Sequence, residues 1–302
     1  MDNQSEIDKK LEKIKSVFAL NEILMKNINQ EHIKKYYNIN KIPYSIFHTK
    51  KDFIHMGISK DGKYKEGDLL EAARTVEDYI KKSSKKILEI AAGRGANSIY
   101  LAKKHPKVNF YGSDISKGQL DYAFKKASKL SNFHPEFGDY HDLKKFDDAS
   151  FDIVFVIEAL CHSTKKEKVL KQVYRVLRKG GIFIIFDGYQ NKNSLSENER
   201  IALKLTEVGM AVEKFESYNS FLSKVKKNKF KIILEEDASN YVLPTMNRFE
   251  RIAKIFFNHP ILAKFISSVT PKAFTYNSLS GYLMPNLMID NVTCYMITIL
   301  KK

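Results

Sequence analysis

The sequence predicts an α/β fold, a doubly wound sheet with helices on both faces. Short apolar segments alternate with amphipathic helical segments between residues 68 and 190, and repeated βα units of this length are typical of such sheets. The segment 151–160, FDIVFVIEAL, is apolar almost throughout, which indicates a strand buried on both faces. With 302 residues, the chain is long enough for one large domain that carries an insertion.

Residues 1–67 precede this alternation and are predicted to form an N-terminal helical and aromatic lid. Residues 1–35 are expected to be helical, because apolar side chains recur there at helical spacing, as in Ile7, Leu11, Ile14 and Phe18. Residues 36–59, YYNINKIPYSIFHTKKDFIHMGIS, are rich in aromatic side chains and contain Pro43, which interrupts any helix.

The predicted core, residues 68–190, opens with an amphipathic helix over 68–82. Five strands and three further helices are expected after it. The strands lie in the segments 86–91, 108–116, 134–143, 150–160 and 182–188. The helices cover 97–106, 118–130 and 166–181, and the last of them is expected to end at Gly180 and Gly181.

The pattern changes after residue 190. The remaining chain is expected to contain a helix over 194–229, a strand over 230–239, an apolar helix over 246–270 interrupted by Pro260, and a strand over 291–300. Because strands return after helical segments, residues 191–302 are predicted to form a helical cap over the substrate together with the final strands of the same sheet.

The amino-acid composition indicates which kinds of binding partner the protein favours. Lys and Arg number 51 against 35 Asp and Glu, a formal charge of +16. This balance favours nucleic acid, an acidic membrane surface or phosphorylated substrates. The lysines are spread along the whole chain, so a solvated basic surface is the alternative.

Other features of the sequence indicate the cellular compartment in which the protein is expected. Two cysteines, Cys161 and Cys294, are too few for a disulfide framework or a CxxC metal site, so no metal is predicted. The N-terminal MDNQSEIDKK lacks the apolar stretch of a signal peptide, and no run of about 18 apolar residues suggests a membrane span. A cytoplasmic protein is expected.

The first βα turn, AAGRGA at 91–96, predicts a ligand site. Gly93 and Gly95 allow the backbone to approach a ligand closely, and the following helix offers free N–H groups. Asp114 follows at the end of the second strand, where an acid can accept both hydroxyls of a ribose. A tight βα turn without a ligand is the alternative.

Two further acids and one absence indicate the kind of ligand. Glu89 precedes the turn, where a carboxylate suits a cationic group, and Asp139 follows the third strand, where it could accept from an exocyclic amine. Neither GxGxxG nor GxxxxGK[ST] is present to hold a phosphate. The expected ligand therefore has ribose hydroxyls, an adenine amine and a positive amino-acid end, which describes S-adenosyl-L-methionine.

The motifs resemble those of class I S-adenosyl-L-methionine-dependent methyltransferases. LEIAAGRG is similar to the family's Glu-x-Gly-x-Gly-x-Gly motif, with Ala91 in place of the first glycine. GSDIS, GDYHDLKKFDDASFDIV and VLRKGGIFIIFD resemble the later motifs in order and spacing. The resemblance implies a Rossmann-like sheet of seven strands and methyl transfer by in-line displacement, with S-adenosylhomocysteine as the product.

The resemblance also implies roles for individual residues. Gly93 and Gly95 should line the methionine part beside Ala91, with Glu89 near the amino group. Asp114 should hold the ribose, and Ile115 should pack on adenine unless it is simply a core residue. The edge of adenine should meet Asp139 and the Tyr140 backbone, and Ile157 and Glu158 should face the sulfonium. Asn97 and Gln119 complete the expected cofactor site.

Two local features are similar to sterol C-methyltransferases and cyclopropane-fatty-acid synthases: the stretch IEALCHS and the Ser-x-x-Gln step ending at Gln119. They favour a small hydrophobic acceptor such as an isoprenoid, lipid, quinone or natural product. His162, Glu158 and Tyr37 are the candidate catalytic residues. A lone histidine is more often structural, and Glu158 could be a solvated loop carboxylate. Further candidates on the acceptor side are Tyr36, His48, His55 and Tyr189.

Several hypotheses stay open at this point. The apolar insertion RFERIAKIFFNHPILAKFISSVTPKAF could be a lid over the acceptor, an interfacial helix on an anionic membrane, or plain core. One competing function is a nucleic-acid methyltransferase that uses its positive charge to bind phosphates, although no RNA-binding module is recognised in the sequence. The other is a non-catalytic protein that binds S-adenosyl-L-methionine. A homodimer is compatible with the sequence.

Overall fold

The computed structural model describes residues 5–40, 48–49 and 52–302, so the expected helix break at Pro43 lies outside the described residues. The chain begins with three helices, α1 (Glu6–Lys15), α2 (Leu20–Leu24) and α3 (Gln30–Ile39). Ser5 caps α1, because its side chain accepts from the Asp8 backbone N–H while the Asp8 carboxylate accepts from the Ser5 N–H.

The strands form one seven-stranded sheet in the order β3-β2-β1-β4-β5-β7-β6. Their bounds are β1 (Lys86–Ile90), β2 (Asn109–Asp114), β3 (Phe133–Phe137), β4 (Phe151–Ile157), β5 (Leu177–Gln190), β6 (Lys231–Asp237) and β7 (Thr293–Lys301). Strand β7 is antiparallel to both of its neighbours, and the strand pairs among β1 to β5 are parallel. The strand order reverses between β1 and β4, so ligands are expected at the carboxyl ends of these strands. The predicted doubly wound, seven-stranded fold is confirmed.

The helices of the core are shorter than the sequence pattern predicts. The helix expected over 68–82 consists of a 3-10 helix (Glu66–Leu70) followed by α4 (Glu71–Glu77). Beyond it, the Ser84 hydroxyl accepts from the Lys81 backbone N–H at 3.0 Å, and such local hydrogen bonds favour a turn over a helix. Three more helices follow their strands: α5 (Ala96–Lys104), α6 (Lys117–Ala127) and α7 (Lys166–Val176).

The prediction that Gly180 and Gly181 end a helix is wrong. Helix α7 ends at Val176, and β5 begins at Leu177, which pairs with Phe151 of β4. The pairing then shifts so that Ile153 faces Ile182. Gly180 takes a φ of +77° within this bulge, and a Cβ on Gly181 would lie 2.9 Å from the Arg178 carbonyl oxygen. The two glycines therefore allow a tight bulge in the strand.

The segment after β5 adds five helices: α8 (Glu197–Gly209), α9 (Tyr218–Lys227), α10 (Ser239–Asn258), α11 (Pro260–Val269) and α12 (Lys272–Ile289). The single helix expected over 194–229 is thus two helices, separated by residues 210–217, where Ala211 has a φ of +56°. The helix expected over 246–270 starts earlier, at Ser239, and it is broken at Pro260 as predicted, since α10 ends at Asn258 and Pro260 is the first residue of α11. Helix α12 was not predicted, because its apolar residues lie on all sides and leave no periodic stripe.

The N-terminal helices pack against this C-terminal helical layer. Ile7, Leu11 and Ile14 of α1 share a hydrophobic cluster with residues of α8, α10 and α12. The buried Lys10 ammonium lies 2.6 Å from the Glu250 carboxylate of α10. The division at residues 67/68 and 190/191 stays a prediction. Within the described ranges, no helix is both long and apolar enough to cross a membrane.

Candidate active site

A cleft of about 120 Å³ opens at the carboxyl ends of β1, β2 and β4. Almost all of the expected cofactor residues line it, namely Glu89, Ala91, Gly93, Asn97, Asp114, Ile115, Gln119, Asp139, Tyr140, Ile157 and Glu158. Gly95 is not among the lining residues, contrary to expectation. A Cβ at this position would lie 2.7 Å from Cζ of Phe133, so packing behind the cleft requires the glycine.

The loop that follows β1 has an unusual backbone. Ala91, Gly93 and Gly95 have φ values of +56°, +53° and +73°, in the left-handed region. An alanine in this conformation costs about 1–2 kcal/mol, whereas glycine adopts it freely. Asp114 holds the loop in place, because its carboxylate oxygens accept from the backbone N–H groups of Gly93 at 2.8 Å and Ser116 at 2.7 Å.

Glu89 is buried below the loop and bound to the start of α5. Its carboxylate accepts from the Ser98 hydroxyl at 2.6 Å, the Ser98 N–H at 3.2 Å and the Asn97 amide at 3.2 Å. Burial raises the pKa of Glu89 to about 7 although these hydrogen bonds oppose the shift. Burial also raises the pKa of Asp114. Buried carboxyl groups of this kind are stabilised by a cationic ligand.

The far wall of the cleft carries the groups expected around adenine. Ile115 is half-buried and lines the cleft, so the alternative of a plain core residue is not supported. The Asp139 carboxylate accepts from the N–H of His141 at 2.8 Å and from its Nδ1 at 2.7 Å. The Tyr140 hydroxyl donates to the Ala159 carbonyl at 3.2 Å. These contacts orient both residues at the edge of the cleft.

Arg94 is a residue of the cleft that the sequence did not single out. Its guanidinium is buried, pairs with Asp52 at 2.7 Å and donates to the Gln119 side chain at 3.1 Å. It therefore ties the N-terminal segment to the loop between β1 and α5. No sequence signal links it to Asp52, because the two residues are far apart in the chain.

A second, larger cavity of about 380 Å³ adjoins the cleft between the sheet and the helical layer. It is lined by every residue expected on the acceptor side: Tyr36, Tyr37, His48, His55, Glu158, His162 and Tyr189. The sequence did not identify the apolar residues that form most of its wall. Helices α10 and α12 supply many of them, including Met246, Phe249, Ile252, Phe256, Met284 and Leu287.

The two spaces meet at the end of β4. The residues that line both are Tyr37, Ile54, His55, Glu158 and His162. A ligand in the cleft and a ligand in the cavity would therefore share one boundary, where the expected catalytic residues lie.

Glu158 is held rigidly at this boundary and is not a freely solvated loop carboxylate. Its Oε1 accepts from the Met56 backbone N–H at 2.7 Å and from the Tyr295 hydroxyl at 2.8 Å. Its backbone has a φ of +50°. Burial raises the pKa of Glu158 to about 8, a shift that its two hydrogen bonds oppose.

His162 and Tyr37 form a pair beside Glu158. The His162 Nδ1 donates to the Ala211 carbonyl at 3.1 Å, so its Nε2 accepts from the Tyr37 hydroxyl at 2.9 Å. Burial lowers the pKa of His162 to about 4, so the ring is neutral at pH 7. This arrangement orients the Tyr37 hydroxyl toward the ring.

The other two histidines have structural contacts. The His55 Nδ1 lies 2.9 Å from the Met56 carbonyl, and its Nε2 lies 3.3 Å from the Asn97 side-chain oxygen. The His48 Nε2 lies 2.8 Å from the His55 carbonyl. Burial lowers the pKa of both rings, that of His48 to about 4. Both rings are neutral at pH 7 and connect the N-terminal segment to the site.

A polar end of the cavity is formed by β5. The Asp187 carboxylate accepts from the backbone N–H groups of Cys161 at 2.9 Å and Gly188 at 2.8 Å, and burial raises its pKa. Tyr189 is 1% exposed, and its hydroxyl has no hydrogen-bond partner within the described part of the chain. Its ring packs against Tyr218 and Phe221, with centroids 5.1 Å away in both cases.

Comparisons with known proteins identify the family to which the chain belongs. A family model described as a methyltransferase domain matches residues 81–238. The 24-methylenesterol C-methyltransferase 2 of Arabidopsis thaliana is 28% identical over 71% of this chain and 61% of its own length. Sterol 24-C-methyltransferase erg6 of Aspergillus fumigatus is 30% identical over 53% of this chain and 43% of its own length. The chain thus covers less than two thirds of these relatives.

Solved structures share the fold at low identity. The mycolic acid cyclopropane synthase CmaA1, complexed with S-adenosylhomocysteine and CTAB, has a TM-score of 0.74 at 11% identity over 89% of this chain and 97% of its own. Geranyl diphosphate C-methyltransferase from Streptomyces coelicolor has a TM-score of 0.64 at 14% identity over 90% of this chain and 97% of its own. The predicted resemblance to this group is confirmed. The chain belongs to the methyltransferase family, with the class I fold and S-adenosyl-L-methionine as its cofactor.

Proposed function

We propose that the protein transfers a methyl group from S-adenosyl-L-methionine to a small apolar acceptor held in the cavity of about 380 Å³. The observation that carries this proposal is the shared boundary at Glu158 between the cofactor cleft and the apolar cavity. Sterol and geranyl diphosphate methyltransferases among the relatives and structural neighbours support a small, largely apolar acceptor.

The cleft suits the cofactor chemically. Glu89 would meet the ammonium group, Asp114 the ribose, and Ile115 the adenine face. Burial raises the pKa of Glu89, Asp114 and Glu158, and a cationic ligand beside these carboxyl groups would favour their ionised forms. When bound, S-adenosyl-L-methionine supplies an electrophilic methyl group on a sulfonium and leaves as the neutral thioether S-adenosylhomocysteine.

Glu158 is the residue best suited to accept a proton from the acceptor. A base works best when its pKa lies near the working pH, and that of Glu158 is raised to about 8 whereas that of His162 is lowered to about 4. Fixed hydrogen bonds from Met56 and Tyr295 hold one carboxylate oxygen of Glu158 in place. Tyr37 and His162 orient the acceptor at the same boundary.

The apolar wall holds the acceptor and excludes water from the reacting groups. Side chains such as Met246, Phe249 and Met284 offer contacts to hydrocarbon but few hydrogen bonds. Alignment in a dry site supplies much of the rate of a displacement reaction.

The test is transfer of labelled methyl from S-adenosyl-L-methionine to a lysate of the source cells, followed by separation of lipid, nucleic-acid and protein fractions. Label should enter the organic fraction, and Glu158→Gln should lower the rate about 100-fold while S-adenosylhomocysteine still binds. Glu197→Gln, which changes an exposed glutamate of α8, should have no effect. Label confined to nucleic acid or protein, or an undiminished rate in Glu158→Gln, would contradict the proposal.

A further inference from the structure

Helix α11 carries a row of large apolar side chains on the molecular surface. Ile261, Leu262, Phe265 and Val269 are 86%, 55%, 63% and 63% exposed. At 100° per residue these four side chains occupy a single arc of the helix, here called the apolar face of α11. Ile255, at the end of the neighbouring α10, adds another side chain that is 66% exposed. Contiguous apolar surface of this kind marks an interaction site.

The charge around the apolar face is of one sign. Residues 251–272 contain Arg251, Lys254, Lys264 and Lys272 and no Asp or Glu. The nearest acids lie outside this range: Glu250 is 3.0 Å from the Lys254 ammonium, and Glu22 borders a shallow pocket shared with Lys264 and Lys272. A basic helix with one apolar face is typical of segments that lie in the plane of an anionic bilayer.

Other residues of the same helices face the acceptor cavity. Ile252 and Phe256 of α10 and Ile266 of α11 line that cavity, whereas Ile255 and Phe265 point to solvent. The apolar face and part of the cavity wall therefore belong to the same two helices. A surface partner bound there would lie next to the space in which an apolar acceptor is held.

From these observations we infer that the apolar face of α11 docks on the surface of an anionic lipid bilayer. The apolar side chains enter the boundary between headgroups and acyl chains, and Lys264 and Lys272 contact the acidic headgroups. Docking would let an acceptor pass from the bilayer into the cavity, and this role rests on the proposed function. The docking itself depends only on the exposed side chains and the local charge.

The experiment is co-sedimentation of the full chain with vesicles of phosphatidylcholine alone and of phosphatidylcholine with phosphatidylglycerol. Wild type should bind the anionic vesicles, and the double variant Ile261→Ser and Phe265→Ser should bind at least about tenfold more weakly. Lys264→Glu with Lys272→Glu should remove the preference for anionic lipid. The matched control is Phe124→Ser, an aromatic residue 49% exposed beside Lys125 and Lys126, which should bind as wild type does.

Two results would overturn the inference. One is equal binding of the double variant and wild type, or no vesicle binding at all. The other is self-association of the wild type, measured by sedimentation velocity and lost in the double variant without any vesicle binding, because a second copy would then cover the face. Vesicle binding needs neither cofactor nor acceptor, so its failure is distinguishable from a failure of the labelled-methyl test.

Discussion

The cofactor cleft and the acceptor cavity meet at Glu158 but are formed by different kinds of chemical groups. The cleft is formed mainly by strand ends, backbone N–H groups and carboxylates of the βα units, and residues of the N-terminal segment such as Tyr37, Ile54 and His55 complete it. The cavity is formed by side chains from the N-terminal helices, from β4, β5 and β7, and from α10 and α12. The first arrangement depends on backbone geometry, and the second depends on the volume and chemistry of packed side chains. Substitutions should therefore affect the two regions in different ways.

The largest expected effect is on the backbone of the cleft. Gly95→Ala should lower the free energy of unfolding by about 3 kcal/mol, because a left-handed φ and a clash with Phe133 add together. Gly62→Ala is the matched control: Gly62 has the same φ of +73°, but a Cβ there would meet no atom within 4 Å. It should cost only about 1 kcal/mol. Urea unfolding measures both, and equal losses would mean that the Phe133 contact is unimportant.

A substitution in the cavity should affect the acceptor alone. Ser278→Leu adds volume to the cavity wall and should raise the KM for the organic-soluble acceptor about tenfold, since overpacking costs about 1–3 kcal/mol. Binding of S-adenosylhomocysteine, measured by calorimetry, should be unchanged. Ser223→Leu, at an exposed site on α9, controls for the serine-to-leucine change. A loss of cofactor affinity in Ser278→Leu would show that the two regions are coupled.

The affinity for S-adenosyl-L-methionine should increase with pH. The free cleft holds protons on Glu89 and Glu158, whose pKa values are about 7 and about 8, and a cationic ligand favours their ionised forms. Binding therefore releases protons, so affinity should rise between pH 6 and pH 7.5 by at most about tenfold per pH unit for each proton released. Calorimetry across this range should show a weaker dependence in Glu89→Gln. An affinity that falls with rising pH would contradict this account.

The smallest expected effect compares two alanines with the same backbone. Ala91 in the cleft and Ala211 in the helical layer both have a φ of +56°. Replacing either with glycine relieves the left-handed strain but increases the entropy of the unfolded chain, so each should stabilise the fold by about 0.5–1 kcal/mol. Thermal unfolding should give similar gains for both variants. Cofactor affinity should change only in Ala91→Gly, and a destabilised Ala91→Gly would mean that its methyl group packs productively.

The same contrast explains what could be predicted from the sequence. The sheet, the loop after β1 and Asp114 follow local patterns, because strand periodicity and short spacings bring these residues together. Helix α12, the Arg94–Asp52 pair and the Tyr37–His162 pair depend on contacts between distant segments, and a single sequence carries no local signal for them. His48, His55 and His162, predicted on the acceptor side, line the cavity. Their burial, which lowers their pKa values and keeps the rings neutral, emerged only from the packing.

Gly180 and Gly181 show a related limit of predicting structure from local sequence patterns. Two glycines after an amphipathic segment are typical of a helix end, but here the strand pairing between β4 and β5 extends back to Leu177 and uses both glycines in a bulge. Tertiary pairing outweighed the local signal. Gly95 was similarly assigned to ligand contact although the Phe133 ring requires it.

The most direct test of the two-region account is a crystal structure with S-adenosylhomocysteine and a long-chain alkyl ligand bound together. The cofactor product should lie beside Glu89, Asp114 and Ile115, and the alkyl chain should lie between α10 and α12 with one end at Glu158. An alkyl chain bound elsewhere on the molecule, with the cavity filled by water, would contradict it.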